Sequence, residues 1–353
     1  MDVPATMKAV RFHEHGGVEV LRYEDAPVPQ TGPNDALVRV RACAMNHLDL
    51  WIRTGVRGWQ IPLPHILGND IAGEVAAVGS EVRHIEVGME CFVHPGVPGG
   101  PSRERLSGDD NIAPDYDIMG LFRDGGYAQY ACVPGDNVFP RPTNLSWEET
   151  AAFPLTFLTA WHMLGARRAN ARAGETVLVI GGSSGVGVAA IQVAKAKGCR
   201  VIATVGSAEK AARARALGAN EIIDHYKHEG AIHKQVYALT GKRGVDIVIE
   251  HVGPAVFGQC LKALCKGGRL VTCGATTGPV CELDIQLLFA KHITVMGSFM
   301  GGMGEMLELL PLVESGAIKP VVDTVLPLED AAKGHERMAR SEHFGKIILA
   351  PPW

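Results

Sequence analysis

The stretch Thr176-Val-Leu-Val-Ile-Gly-Gly-Ser-Ser-Gly-Val-Gly-Val-Ala-Ala-Ile-Gln-Val-Ala-Lys195 constrains the fold more than any other part of this chain. Val177 to Ile180 form a short, unbroken apolar run, the pattern of a parallel strand covered on both faces. Glycines follow, and then an apolar run of helical character. Gly182 permits a tight turn, Gly185 allows close backbone approach, and Gly187 lets the helix pack close to the sheet. The N–H groups of Gly185, Val186 and Gly187, with the positive end of the helix dipole, then make an anion site. In the spacing G-x-G-x-x-G the middle glycine is replaced by Ser184. A glycine turn alone is an ordinary strand-to-helix loop. With strand, helix and a following strand in place, it predicts a dinucleotide whose pyrophosphate rests on the helix N-terminus.

The texture on either side differs. From Thr176 onward strands and helices alternate: Arg200 to Val205, a helix from Ala208 to Leu217 stopped by Gly218, then Glu221 to Asp224, Val245 to Glu250, Gly268 to Cys273 and Ile293 to Gly297. Such alternation predicts a doubly wound parallel sheet. The first 150 or so residues hold short alternating runs between turn residues, including Ala36 to Ala42, Ile71 to Val78 and Met89 to His94, which predicts a β-barrel-like domain. Short strands return after Ser315-Gly316. The expected division is therefore α/β, with a β domain over 1–154 completed by 316–353 and a dinucleotide-binding domain over 155–315.

The chain has 353 residues, room for two cores, and a formal net charge of −4 that offers no basic field for nucleic acid and no polybasic membrane anchor. Its eight cysteines include no C-x-x-C pair and read as reduced thiols of a cytoplasmic protein. The start around Asp2 has no basic-then-apolar run, and the apolar stretch Ala151 to Ala166 is broken by Pro154 and too short to span a bilayer.

Several stretches, in this order, resemble the medium-chain dehydrogenase/reductase superfamily: Gly68 to Gly79 (GNDIAGEVAAVG), Asp124-Gly-Gly-Tyr-Ala-Gln-Tyr130, Leu158-Thr-Ala-Trp161, Gly244-Val-Asp-Ile-Val-Ile249 and Phe344-Gly-Lys-Ile-Ile-Leu349. The likeness runs from Met7 to Leu349 and implies a GroES-like β-barrel domain with a Rossmann domain. Ala42 to Arg53 is similar to the quinone oxidoreductase and enoyl reductase branch. Zinc enzymes of the superfamily hold a catalytic metal on three ligands with one open position. Here Asn46 stands at the first ligand position, the family's Gly-His-Glu reads Gly68-Asn69-Asp70, and no cysteine lies between Cys132 and Cys199 to serve as the third. The lobe His94 to Pro114, which resembles the structural-zinc lobe, has Gly99, Ser102, Arg105 and Ala113 where cysteines would stand. No metal is expected; an improvised site from Cys43, His47, Asp49, His65 and Asp70 is the alternative. The lobe's charges Arg103, Glu104, Arg105, Asp109 and Asp110 are candidates to hold it, against a solvated loop.

Hydride transfer without a Lewis acid needs an acceptor that is already electrophilic: a quinone, an α,β-unsaturated ketone or aldehyde, or an enoyl thioester, whose developing oxyanion hydrogen-bond donors can stabilise. By resemblance Asn46 lies beside the nicotinamide ribose and substrate, Thr156 near the carboxamide, and Gly274-Ala275-Thr276 against the nicotinamide, with His251, Ser298, Phe299 and Lys346 completing the cofactor contacts. Asp49 and Asp70 are the candidate carboxylates for proton traffic, with salt-bridged structural roles as the alternative; His47 meets the pyrophosphate or caps its loop. An enzyme that reads the adenosine ribose hydroxyls carries an acid about 20 residues beyond the first glycine, yet Arg200 to Ser207 ends without one. Ser207, Lys210 and Tyr226 instead suit a 2′-phosphate, so the expected cofactor is NADP(H); the bland alternative makes Ser207 an N-cap and Lys210 a solvated side chain. The partners expected are a small conjugated substrate and a second copy of the chain, joined in a homodimer along the sheet-edge segment 292–300. An alcohol dehydrogenase with an unusual zinc site, and an NADPH-binding protein whose reductase site has decayed, remain the other readings.

Overall fold

A computed structural model describes residues 3–228 and 230–353; Asp2 lies outside them. The chain forms two compact units, one made of the residues up to Leu155 together with Gly302–Trp353, the other of Thr156–Gly301. The second unit therefore ends at Gly301 rather than at 315. Helix Met303–Glu314 goes with the first unit because its ends are tied there: Asp110 accepts the Met303 N–H, and Asn144 Nδ2 donates to the Val313 carbonyl at 2.9 Å.

In the first unit the strand Asp35–Ala44 is central. It pairs antiparallel with Asp70–Val78 and Tyr130–Pro134, and the C-terminal strand Lys346–Ala350 lies against its end. Outside Asp70–Val78 come Glu90–Val93 and Val138–Pro140, and outside Lys346–Ala350 comes Val322–Pro327. A smaller sheet joins Arg22–Pro27, Thr6–Phe12 and His65–Ile66. This is the GroES-like barrel the sequence predicts. Its strands alternate as a half-buried sheet should: Val38, Val40 and Ala42 are fully buried, while Arg41 turns outward to Glu74 at 3.0 Å. Gly73 is needed where the two long strands cross closely, because a Cβ there would overlap the Arg39 carbonyl oxygen.

Register in this sheet positions the site. Ala44 pairs with Asp70 on one side and with Ile348 on the other, and the ladder continues through Met45 N–H to the Ile347 carbonyl at 2.9 Å. Two residues beyond Ala44, Asn46 thus meets Lys346, two residues before Ile348.

The second unit is a six-stranded parallel sheet with spatial order Glu221–Asp224, Arg200–Val205, Thr176–Val179, Val245–Glu250, Leu264–Thr272, Thr294–Gly297. Numbered along the chain these strands lie 3-2-1-4-5-6, the Rossmann order, with its crevice beyond the carboxyl ends of the first and fourth strands. Leu178, Ile202, Val248 and Leu270 from four of the strands join Phe257 and Leu261 of helix Pro254–Ala263 in one buried cluster, each full burial contributing about 1.5–3 kcal/mol. No helix among the described residues is long and apolar enough to cross a membrane.

Candidate active site

Asn46 opens helix His47–Thr54, and Asp49 reaches back from the first turn to accept the Asn46 N–H at 2.7 Å. The Asn46 side chain leaves the helix toward the sheet. Its Nδ2 donates to Asp70 Oδ2 at 2.9 Å, and its Oδ1 accepts from Lys346 Nζ at 2.6 Å. Lys346 Nζ also meets Asp70 Oδ2 at 3.0 Å, with the two side chains 4% and 0% exposed. Asp70 Oδ1 accepts the Leu155 N–H at 2.8 Å. Both oxygens of Asp70 are thus engaged by protein donors. A lone carboxylate or ammonium would be too costly to hold at such burial, and mutual pairing with full hydrogen bonding is what makes it tolerable.

Asp49 belongs to a second buried chain. Besides Asn46 it accepts the Gly68 N–H at 3.1 Å on Oδ1 and the Tyr127 hydroxyl at 3.0 Å on Oδ2. Behind Tyr127, His335 Nε2 lies 3.4 Å from the phenol oxygen, and His335 Nδ1 is 2.9 Å from Arg53 Nη1. Guanidinium cannot accept, so Nδ1 accepts from Arg53 and Nε2 carries the hydrogen toward Tyr127, whose own hydrogen goes to Asp49. Burial pushes the Asp49 carboxyl up to about 6 against the pull of its donors, and burial beside Arg53 pushes His335 down to about 3. Burial also raises the Cys43 thiol well above its usual range, the charges of Asp49 and Asp70 adding to it, so it is no thiolate.

Of the residues expected in catalysis, Asn46, Asp49 and Asp70 therefore come together, and Lys346, expected at the cofactor, joins them with its ammonium turned to Asn46 and Asp70. Asp70 is salt-bridged to Lys346, whereas Asp49 is surrounded by N–H and O–H donors and makes no ion pair among the described residues. Sequence reasoning missed Arg53, Tyr127 and His335. Tyr127 sat within a family-like stretch without a role, while nothing local marks His335, which lies 282 residues from Arg53. His47 stacks edge-on against Trp51 at 6.2 Å within its own helix.

In the second unit the positive φ of the glycine turn falls on Gly181, at 62°, not on Gly182. Gly187 does allow close approach: its Cβ would overlap the Gly181 carbonyl oxygen and come within 2.8 Å of Gly182 Cα. Ser184 caps helix Gly185–Ala196 by accepting the Gly187 N–H at 2.9 Å, and its hydroxyl also lies 3.0 Å from His251 Nε2. The Gly185 and Val186 N–H groups of that first turn have no acceptor within the helix. The His251 carbonyl accepts from Thr276 Oγ1 at 3.1 Å, and buried Glu250 accepts the N–H groups of Val252 and Gly253 and the Thr272 hydroxyl, shaping the crevice rim beside Gly274 and Ala275. At the end of strand Arg200–Val205, Ser207 is the N-cap of helix Ala208–Ala216 and accepts the Lys210 N–H at 3.2 Å, as the bland alternative has it. Tyr226 is exposed and stacks edge-on with His225 at 4.5 Å. Thr156 Oγ1 and Ser298 Oγ are buried without a partner among the described residues, whereas Phe299 is exposed. Unmatched buried hydroxyls cost about 1–3 kcal/mol each, and a polar ligand that meets them removes that cost. The open helix end, the glycine turn and these two hydroxyls fit a nicotinamide dinucleotide.

The lobe is held by protein contacts. Ser102 caps the turn Arg103–Leu106, Arg105 Nη1 donates to the Gly99 carbonyl at 2.9 Å, and Asp115 accepts the Gly100 N–H at 2.8 Å. Of its charges, Arg105 makes a loose pair with Asp136 at 3.5 Å, and Asp110 serves the Met303 N–H. His65 Nε2 bonds the Gly120 carbonyl. Among the described residues no three His, Cys, Asp or Glu side chains are grouped so as to hold a metal ion.

The family model described as an alcohol dehydrogenase GroES-like domain matches residues 32–143, and the one described as a zinc-binding dehydrogenase matches 185–315. The chain is 33% identical over 354 residues to a quinone oxidoreductase of Mus musculus, with 97% of each chain covered. It is 32% identical to a crotonyl-CoA reductase of Streptomyces avermitilis, over 94% of this chain and 82% of that one. A solved structure described as an NAD-dependent alcohol dehydrogenase superposes with a TM-score of 0.93 at 44% identity, covering 98% of this chain and 99% of the other. With the Rossmann strand order, the GroES-like barrel and these full-length likenesses together, the chain belongs to the medium-chain dehydrogenase/reductase superfamily, in its zinc-independent branch of quinone and enoyl-thioester reductases.

Proposed function

We propose that this oxidoreductase is an NADPH-dependent reductase that delivers hydride to a conjugated acceptor, a quinone, an α,β-unsaturated carbonyl or an enoyl thioester, without a catalytic metal. The observation that carries the reading is the engagement of Asn46 and Asp70, which stand at two of the positions where the zinc enzymes carry their metal-site motifs. Asn46 is bonded to Lys346 and Asp70, and the Asn69 amide donates to the Met119 carbonyl at 2.5 Å. A divalent cation would have to displace an ammonium from Asp70. Without a Lewis acid, the acceptor must carry its own electrophilic β-carbon and pass charge to an oxygen that donors can meet.

The nicotinamide, when bound, supplies the hydride. The protein's part is to seat its pyrophosphate on the Gly185 and Val186 N–H groups, meet it with Thr156, Ser298, Phe299 and the 274–276 loop, and hold Asn46 toward the substrate. Support for NADP(H) is the missing acid after Val205 and the nearness of Gly206 to Tyr226, whose ring a Cβ at Gly206 would meet at 2.5 Å. Ser207, Lys210 and Tyr226 are then the 2′-phosphate contacts. The relative named for NAD favours a second reading, an alcohol dehydrogenase. A panel of quinones, enones and enoyl thioesters against primary and secondary alcohols, with NADPH and NADH, separates the two. Turnover of conjugated acceptors with NADPH that chelator leaves unchanged is expected; stoichiometric zinc with alcohol oxidation reverses the reading. Lys210→Ala should weaken NADPH binding about tenfold, about 1.4 kcal/mol, and leave NADH nearly unchanged; equal loss for both would remove the 2′-phosphate assignment. A cytoplasmic setting suits the eight unpaired thiols.

A further inference from the structure

An amide side chain has one carbonyl acceptor and two N–H donors. Around Asn46 the acceptor and one donor are taken: Lys346 Nζ donates to Oδ1 at 2.6 Å, and Nδ2 donates to Asp70 Oδ2 at 2.9 Å. An ammonium cannot accept and a carboxylate cannot donate. Turning the amide over would set N–H against the ammonium and carbonyl oxygen against the carboxylate, so the orientation is locked. The lock closes on itself through Lys346 Nζ to Asp70 Oδ2 at 3.0 Å and is anchored by the Leu155 N–H on Asp70 Oδ1. Of its two donors, Asn46 has the second Nδ2 hydrogen left.

We propose that Lys346 is a positioning residue which, with Asp70, holds the Asn46 amide so that its remaining N–H is the donor offered to the carbonyl oxygen of the conjugated substrate. This rests on the reading of Asn46 above and names the atom through which it acts. Hydride forms the new C–H bond at the β-carbon, the π electrons move to the carbonyl oxygen, and the resulting enolate is met by the Asn46 N–H. That hydrogen stays on nitrogen, and solvent supplies the proton to the α-carbon, so the acceptor gains one hydride and one proton. A cation on Oδ1 draws density from the amide and strengthens the far N–H as a donor. The positive charge thus acts on the substrate oxygen through one intervening amide.

The test compares Lys346→Met, the double variant Lys346→Met/Asp70→Asn, Lys346→Arg and Asn46→Ala. The double variant removes both buried charges, so that an unpaired carboxylate does not decide the outcome. Single-turnover hydride transfer to an α,β-unsaturated ketone should slow about 100-fold in Lys346→Met and in the double variant, the scale of losing one oxyanion donor. The NADPH dissociation constant, from fluorescence titration, should change less than about twofold, about 0.4 kcal/mol. Lys346→Arg, keeping the cation, should recover most of the rate. Independently of turnover, the Asn46 side-chain amide signal in protein labelled with 15N-asparagine, assigned by its loss in Asn46→Ala, should exchange slowly with solvent in the native chain and faster without Lys346. Parallel loss of NADPH affinity and rate would return Lys346 to the cofactor, and an unchanged rate in both lysine-free variants would show that no lock is needed; either overturns the proposal. Native turnover in Asn46→Ala would instead remove the underlying reading of Asn46.

Discussion

The two perturbed groups on the Tyr127 chain pull stability in opposite directions with pH. Asp49, raised to about 6 from an ordinary 3.8, keeps a proton in the folded protein that the unfolded chain has released between about pH 4 and 6, so its contribution falls as pH rises through that window. His335, lowered to about 3 from 6.5, does the reverse: below about pH 6.5 the unfolded chain takes up a proton that the fold refuses, so its contribution falls as pH drops. Each slope is about 1.4 kcal/mol per pH unit, and between pH 4 and 6 the two cancel. Asp49→Asn should therefore uncover a steep loss of stability on acidification below pH 6. His335→Gln should uncover the opposite slope. Urea unfolding of both variants and the native chain across pH 4–7 checks this, and parallel profiles for the two variants would contradict it. Of these residues, Asn46, Asp49, Asp70 and Lys346 could be singled out from sequence because they stand in family-like stretches. Their mutual bonding could not, since Lys346 and Asn46 are 300 residues apart.

At the scale of elements, the strand–turn–helix Thr176–Ala196 was legible almost residue by residue, because a buried parallel strand and a helix N-cap both leave local signatures. Which glycine bears the positive φ is not legible, since Gly181 and Gly182 are indistinguishable without the backbone; it is Gly181. Gly187→Ala tests the close approach. Its added carbon would press on main-chain atoms of Gly181 and Gly182, which cannot rotate away as a side chain could. Overpacking of this kind costs about 1–3 kcal/mol, so a lowered thermal midpoint and weaker dinucleotide binding should appear together. An unchanged midpoint would mean the turn can open. The metal-like lobe was less legible. Its charges suggested ion pairs, yet exposed pairs contribute only about 0–1 kcal/mol, and backbone capping by Ser102, Asp110 and Asp115 does the holding.

For the whole molecule, we propose a homodimer through the edge of the Rossmann sheet. Strand Thr294–Gly297 is the outermost of the six, and Val280, Ile285, Phe289, Val295 and Phe299 are exposed apolar side chains in the segments at and before that edge. An open edge flanked by apolar surface invites a second copy about a two-fold axis. The ladder decides which positions to test. Ser298 N–H bonds the Thr272 carbonyl inside the sheet at 2.8 Å, and by the two-residue alternation of a strand the N–H groups of Thr294 and Met296 face the same neighbour. Proline there would injure the fold itself. Val295 and Gly297 face outward, so Val295→Pro should dissociate the dimer in sedimentation while leaving NADPH binding intact. A native chain that sediments as a monomer, or a dimer indifferent to that proline, would place any interface elsewhere.

From the sequence alone came the Rossmann and GroES-like architecture, the superfamily, and the absence of ligand residues at the metal positions, because periodicity, glycine turns and residue identity are local properties. The tertiary structure decided the rest: which domain owns helix Met303–Glu314, that Lys346 turns to Asn46 and Asp70, and that His335 and Arg53 stand behind Tyr127. The meeting of Lys346 with Asn46 and Asp70 depends on strand register between the two ends of the chain, where Ala44 sits between Asp70 and Ile348. A shift of one residue would have turned Asp70 and Lys346 to the other face of the sheet.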